Sequence, residues 1–125
     1  MIVGIGTDIV SIERIAGVLE RHGERFVNRV LTPPERARFG RTKLKASHLA
    51  KRWAAKEAFA KAIGTGIHPP FTWQSITVTR DPKGAPGIEP SPAMADYLRG
   101  RGVTRSLLTL TDDAGIAVAF VVLEG

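Results

Sequence analysis

Along the first ten positions the apolar residues follow no helical spacing. Ile2, Val3, Ile5, Ile9 and Val10 enclose Gly4 and Gly6, a pattern that predicts a buried strand over 2–10 with Asp8 near its end. From Ser11, a good N-capping residue, the period changes: Ile12, Ile15, Leu19, Phe26 and Val30 gather on one side of a helix that runs to about Val30. Thr32-Pro33-Pro34-Glu35 sets a capping hydroxyl, prolines for the first turn and an acid three residues on, the signature of a short second helix. Arg41 to Ser47 reads as a basic loop, and the alanine-rich SHLAKRWAAKEAFAKAI at 47–63 as a third helix ended by Gly64. Gln74 to Thr79 alternates toward Ile76 and Val78 as a strand, Asp81-Pro82-Lys83-Gly84 is turn chemistry, and 91–99 predicts another helix. Two strands, 106–111 and 116–123, flank the turn Asp112-Asp113-Ala114-Gly115.

With 125 residues and 43% hydrophobic content the chain can bury one modest core, so a single domain over 1–125 is expected. It has no cysteine, which excludes disulfide staples, thiolate metal sites and a thiol nucleophile; any metal must sit on oxygen or imidazole. The start, MIVGIGTDIV, lacks a basic stretch and carries Asp8 inside its apolar run, unlike a signal peptide, and no run reaches the length of a membrane span. A soluble, cytoplasmic protein is the expectation. The net charge of +6 favours an anionic partner, whether nucleic acid, membrane surface, phosphorylated cofactor or acidic protein, without choosing among them.

Individual residues narrow the choice. A carboxylate at the end of a glycine-loosened apolar strand is costly to bury unless a cation or several donors satisfy it, so Asp8 is either a site residue or a cap for the helix that follows. On the third helix, Glu57 points with Ala50, Trp53, Ala54 and Lys61, a face of small and aromatic residues carrying one acid and one base. An ordinary i,i+4 ion pair is the plain alternative for Glu57 and Lys61. Two carboxylates from separate elements suit a hard, oxygen-seeking cation such as magnesium, with Lys61 and Arg52 left to hold phosphates. Gly64-Thr65-Gly66 offers backbone N–H groups to a phosphate or else simply ends the helix.

Charge is also segregated on the first helix. Arg14, Arg21, Arg25 and Arg29 fall within about 80° of a helical wheel, whereas Glu13, Glu20 and Glu24 lie together elsewhere, and such a one-sign stripe suits docking to an acidic surface. His22, His48 and His68 have no metal-ligand spacing. Trp53 and Trp73 do not interleave with basic residues, so they read as core or pocket wall and not as stacking platforms for nucleic acid.

GIGTDIVSIERI at 4–15 and RWAAKEAFAKAIGTGI at 52–67 resemble the two signature blocks of bacterial holo-acyl-carrier-protein synthases, the short trimeric type of 4'-phosphopantetheinyl transferase. Phe26-Val27-Asn28-Arg29-Val30-Leu31-Thr32 with Glu35 is similar to the family's linking segment, and 109–124 to its terminal hairpin. The resemblance implies an α+β fold, with an antiparallel sheet packed on a long central helix, and a homotrimer with active sites between neighbouring subunits. It also implies that Asp8 and Glu57 ligate Mg2+. Arg52, Lys61, Gly64 and Thr65 would line the phosphates of coenzyme A, with Lys43 and the loop from Gly84 to Pro86 near its adenosine end. The arginine stripe becomes the dock for apo acyl carrier protein, and neither nucleic acid nor membrane is a partner.

By the same resemblance, a carrier serine attacks the β-phosphorus of coenzyme A and expels adenosine 3',5'-bisphosphate, in support of fatty-acid biosynthesis. Asp8, Glu57 and Lys61 are the implied catalytic residues, and Glu57, Asp8 or a water at the metal takes the serine proton. Many relatives carry Ser-x-Ser-His where this chain has Thr109-Leu110-Thr111-Asp112, and Gly-Lys-Pro where it has Gly84-Ala85-Pro86; Asp112 therefore stands in place of a histidine. A small basic nucleic-acid-binding module is the rival from another class, but it gives no reason for Asp8 and Glu57. A transferase serving carriers of secondary metabolism is the rival within the same chemistry, and the short chain favours the fatty-acid enzyme.

Overall fold

The computed structural model describes residues 1–125. In chain order the elements are β1 (Ile2–Ser11), α1 (Ile12–Val30), α2 (Pro33–Phe39), α3 (Lys45–Ile63), β2 (Ile76–Arg80), β3 (Pro86–Pro90), α4 (Pro92–Gly100), β4 (Arg105–Asp113) and β5 (Ile116–Glu124). The fold is α+β. An antiparallel sheet in the order β1-β5-β4 packs on α3, and β2 with β3 forms a separate antiparallel hairpin.

The close seating of α3 on the sheet follows from what β1 lacks. Along β1, Gly4, Gly6, Asp8 and Val10 alternate onto one face. A Cβ added at Gly6 would collide with the Ala58 carbonyl, and one at Gly4 with that of Ala62, so strand and helix approach backbone to backbone. Ala117, Ala119, Val121 and Leu123 of β5 complete the inward face, and Ala54, Ala58 and Phe59 of α3 are fully buried against their surroundings. Because buried residues are distributed around α3, its apolar positions show no single stripe.

The opposite face of the sheet is apolar and open. Ile5 and Ile9 of β1, Phe120 of β5 and Leu107 of β4 all point outward, with Ile9 66% exposed. Antiparallel sheets tolerate one solvated face, but that face is ordinarily polar.

A buried ion pair ties the end of α1, α2 and β2 to α3. Lys56 Nζ, 0% exposed, donates to Glu35 Oε1 and to the carbonyls of Val30 and Trp73, each at 2.7 Å. Glu35 in turn accepts from Thr32 N (2.7 Å), Thr32 Oγ1 (3.1 Å) and Val78 N (2.8 Å). The capping box of α2 thus doubles as the counter-charge for a lysine from another helix.

Three features differ from the sequence reading. α3 begins at Lys45, inside the expected basic loop; its N-cap, Leu44, supplies no side-chain bond, and Lys45 Nζ instead donates to the carbonyls of Phe39 and Thr42. β3 was not expected, since its sequence, PGIEP, starts and ends in proline and is short enough to survive only at an edge. Finally, α1 is interrupted at Gly23, whose φ of 51° and ψ of −129° break the helical phase. The four-arginine stripe assumed one continuous helix, so it is corrected: Arg14 and Arg21 share the first segment, Arg25 and Arg29 the second.

Candidate active site

The alternation that sets Gly4 and Gly6 against α3 carries Asp8 to the same helix two residues later. Lys61 Nζ donates to Asp8 Oδ1 at 3.3 Å and to the Thr7 carbonyl at 3.0 Å. Asp8 is 15% exposed and Lys61 52%, so the pair straddles the edge of the core. Glu57 lies one helical turn before Lys61 and on its side of α3. Burial pushes the Asp8 carboxyl above its ordinary range against the pull of Lys61, and burial followed by the charge of Asp8 pushes Glu57 up. Arg14 acts on both acids in the opposite sense.

Asp8 does not cap α1. Ser11 does, its hydroxyl accepting from Arg14 N at 3.1 Å, which removes the plain alternative for Asp8. Beside the acids, Trp53 stacks on Trp73 with ring centroids 4.5 Å apart and meets Phe26 at 5.6 Å, an aromatic wall one turn before Glu57. No three His, Cys, Asp or Glu side chains gather anywhere in the chain. The donor set is therefore two neighbouring, partly buried carboxylates, which fits a divalent ion that takes its other ligands from water and phosphate.

A second feature lies toward the N-terminal end of α3. A cleft of about 810 Å³ is lined by Arg38, Arg41, Lys43, Lys51 and Arg80, with Ser47, His48 and Asp112 among them. Burial, and then the charges of Arg52, Arg80, Lys51 and Arg38, lower His48 to about 3, so it is neutral. Asp112 is the one carboxylate in the lining; its Oδ2 accepts from Ser47 Oγ and its Oδ1 from Lys51 Nζ, both at 3.2 Å. Arg80 also donates to the Gly84 carbonyl at 3.0 Å, fixing the β2–β3 turn beside the cleft.

The remaining candidates are distributed differently from expectation. Arg52 does not join Lys61: it is 1% exposed, and its Nη1 and Nη2, like His48 Nε2, are buried without a partner. The N–H groups of Gly64, Thr65 and Gly66 are already bonded to the Lys61 and Ala60 carbonyls, which corrects the idea that they cradle a phosphate, and the Thr65 hydroxyl donates to the Gly66 carbonyl at 2.7 Å. Pro86 faces a smaller groove beside Leu107, Phe120 and Val122. Lys56 was missed. Its signal was a lysine beside Glu57 in an alanine-rich stretch of α3, at an angle that cannot share Glu57's direction.

A profile of the 4'-phosphopantetheinyl transferase superfamily matches residues 4–120. The chain belongs to this superfamily. Among its relatives, a holo-[acyl-carrier-protein] synthase of Dechloromonas aromatica is 48% identical over 124 residues, covering 99% of this chain and 98% of the relative. The crystal structure of a holo-[acyl-carrier-protein] synthase from Neisseria meningitidis superposes with a TM-score of 0.96 at 42% identity, covering all of both chains. One from Helicobacter pylori, in complex with coenzyme A, gives 0.86 at 35% identity over 96% of this chain and 99% of its own. As a phosphopantetheinyl transferase, the chain puts its signature blocks where β1 and α3 meet.

Proposed function

We propose that this chain transfers the 4'-phosphopantetheine group of coenzyme A to a serine of apo acyl carrier protein, releasing adenosine 3',5'-bisphosphate, in support of fatty-acid biosynthesis in the cytoplasm. The observation that carries the reading is the meeting of Asp8, Glu57 and Lys61 at one edge of the core in a chain of this family. Asp8 and Glu57 would hold Mg2+, which when bound supplies positive charge beside the coenzyme's diphosphate. Lys61, half exposed, could give up Asp8 and hold a phosphate oxygen, and Thr65 lies at the same end of α3. The serine proton leaves to a nearby base, for which Asp8 and Glu57, both pushed up by burial, are suited.

The basic cleft suits the adenosine 3'-phosphate end, with Lys43 in its lining, Gly84 tied to it through Arg80, Pro86 turned toward the neighbouring groove, and the buried Arg52 guanidinium without a partner. Lys51 and Glu57 are six residues apart on α3, so they lie about 9 Å apart along its axis and about 120° apart around it. Within a single chain, a coenzyme reaching both would have to bend around the helix. Active sites between subunits resolve this, and the uncovered apolar face of the sheet supports a homotrimer. Arg14 and Arg21, beside a shallow pocket next to the acids, are proposed as the nearer part of the carrier dock, with Arg25 and Arg29 beyond the break at Gly23. No helix is long and apolar enough to cross a membrane, and membrane and nucleic acid have no part in the reading.

The test is incubation with coenzyme A, magnesium and apo carrier protein, read as a mass gain of one phosphopantetheine on the carrier serine. Glu57→Gln should lower turnover on the order of a hundredfold or more. No gain by the wild-type chain across several carriers, or unchanged rates in the variant, would reject the assignment.

A further inference from the structure

Five cationic side chains line the basic cleft, and one carboxylate stands among them. Asp112 is held there by two donors from the first turns of α3, the Ser47 hydroxyl and the Lys51 ammonium, each on a different carboxylate oxygen. A hydroxyl and an ammonium arranged around two oxygens are also what a phosphate group uses. Asp112 sits at the end of β4, 39% exposed at its side chain, with Lys51 at 21%, so the pair can part without unpacking the core. Its bonds are those of an accessible, solvent-screened ion pair, weak enough to be exchanged for a ligand's phosphate.

We propose that Asp112 is an internal stand-in for the nucleotide phosphate: it engages Ser47 and Lys51 and must be displaced when the ligand's phosphate arrives. The inference rests on the reading of this cleft as the nucleotide-phosphate end of the coenzyme site. Two effects follow from one geometry. The fraction of protein with its donors free is reduced, which weakens apparent affinity by the same factor. After displacement the Asp112 charge remains near the bound phosphate, which favours departure of a doubly phosphorylated product as much as it opposes arrival of substrate. Asp112 thus acts against over-tight retention of anions in a cleft with five positive groups.

Calorimetric titration of the wild-type protein, Asp112→Asn and Asp113→Asn with adenosine 3',5'-bisphosphate, at low and high sodium chloride, tests this. Asp113 is the exposed neighbour on the same strand and controls for net charge alone. Asp112→Asn should bind about fivefold tighter at low salt, the gap should narrow at high salt, and Asp113→Asn should match wild type. Asp112→Ser, which keeps an acceptor for Lys51, should move in the same direction if the asparagine variant folds poorly. Equal or weaker binding by folded Asp112 variants overturns the proposal while leaving the cleft's assignment standing, because a strut or a direct ligand contact gives those results. Equal tightening by Asp113→Asn overturns it as well. Absence of binding by the wild-type protein removes the assignment of the cleft and the proposal together.

Discussion

Replacing Lys56 by methionine keeps most of the side-chain volume and removes one buried charge. The ammonium makes three hydrogen bonds of 2.7 Å, to Glu35 Oε1 and to the carbonyls of Val30 and Trp73, and neither Lys56 nor Glu35 meets solvent. Burial lowers the Lys56 pKa while Glu35 pulls it back. Without the lysine, two carbonyls lose a charged donor and Glu35 retains only Thr32 and Val78 as partners. Removing one member of a buried pair costs about 3–5 kcal/mol, much of it from the uncompensated charge left behind. That is a large fraction of the stability of an ordinary domain, about 5–15 kcal/mol. Urea denaturation at one fixed protein concentration measures it, which keeps any contribution from self-association constant. The double variant Glu35→Gln, Lys56→Met should cost at least about 2 kcal/mol less than the sum of the single variants. A loss below about 1 kcal/mol for Lys56→Met, or strict additivity, would refute the view that this pair is the fold's central polar tie.

Asp8 and Glu57 have folded-state pKa values raised above the ordinary carboxylate range, so they add stability below the unfolded pKa and lose it as pH rises through the folded one. The metal-free wild-type protein should therefore gain thermal stability relative to Asp8→Asn, Glu57→Gln on acidification through that window, while wild-type turnover falls over the same window because the protonated acids lose their charge. Ala114 and Gly115 form a two-residue hairpin turn with φ of 51° and 79°, and Ala114→Asn should raise stability by about 0.5–1 kcal/mol in thermal melts, whereas a fall would contradict the left-handed assignment. Reversing Arg14 and Arg21 to Glu should weaken carrier-protein binding with coenzyme A affinity nearly intact, and equal damage to both, measured by titration, would argue against the dock. If sites lie between subunits, mixing Glu57→Gln with an Arg38→Ala, Lys51→Ala variant after dissociation should restore activity to about a quarter of the wild-type level, since a quarter of interfaces regain both halves; no recovery would place both halves in one chain.

Local signals were legible wherever a residue's job was done within a few positions of itself. Ser11 as cap, the capping box at Thr32 and Glu35, and Gly64 in the left-handed conformation at the end of α3 all stand where the sequence puts them. Asp8 and Glu57 were legible for a different reason, since each is an acid in a setting that ordinary burial would reject. What was hidden was long-range. The cleft draws Arg38 from α2, Lys51 from α3 and Arg80 from β2, and no spacing along the chain connects them. Glu35 looked complete as a capping residue, so nothing asked for Lys56 as a second partner. The helical wheel failed at Gly23 because a wheel assumes the continuity that a glycine at φ 51° ends.

These cases share a cause in the geometry of α3. Glu57 and Lys61 turn toward β1, Lys56 toward α2, and Ser47 and Lys51 toward the end of β4, so one helix presents an acid, a buried cation and a pair of accessible donors in three directions. A helix with a single apolar stripe could serve only one of them, because its other faces would be surrendered to solvent. Alanine on the sheet-facing side, matched by Gly4 and Gly6, lets α3 sink until its flanks are covered. Close packing at the glycines is thus what leaves the polar residues on the flanks, half covered and shifted in pKa, while the same helix still holds the core.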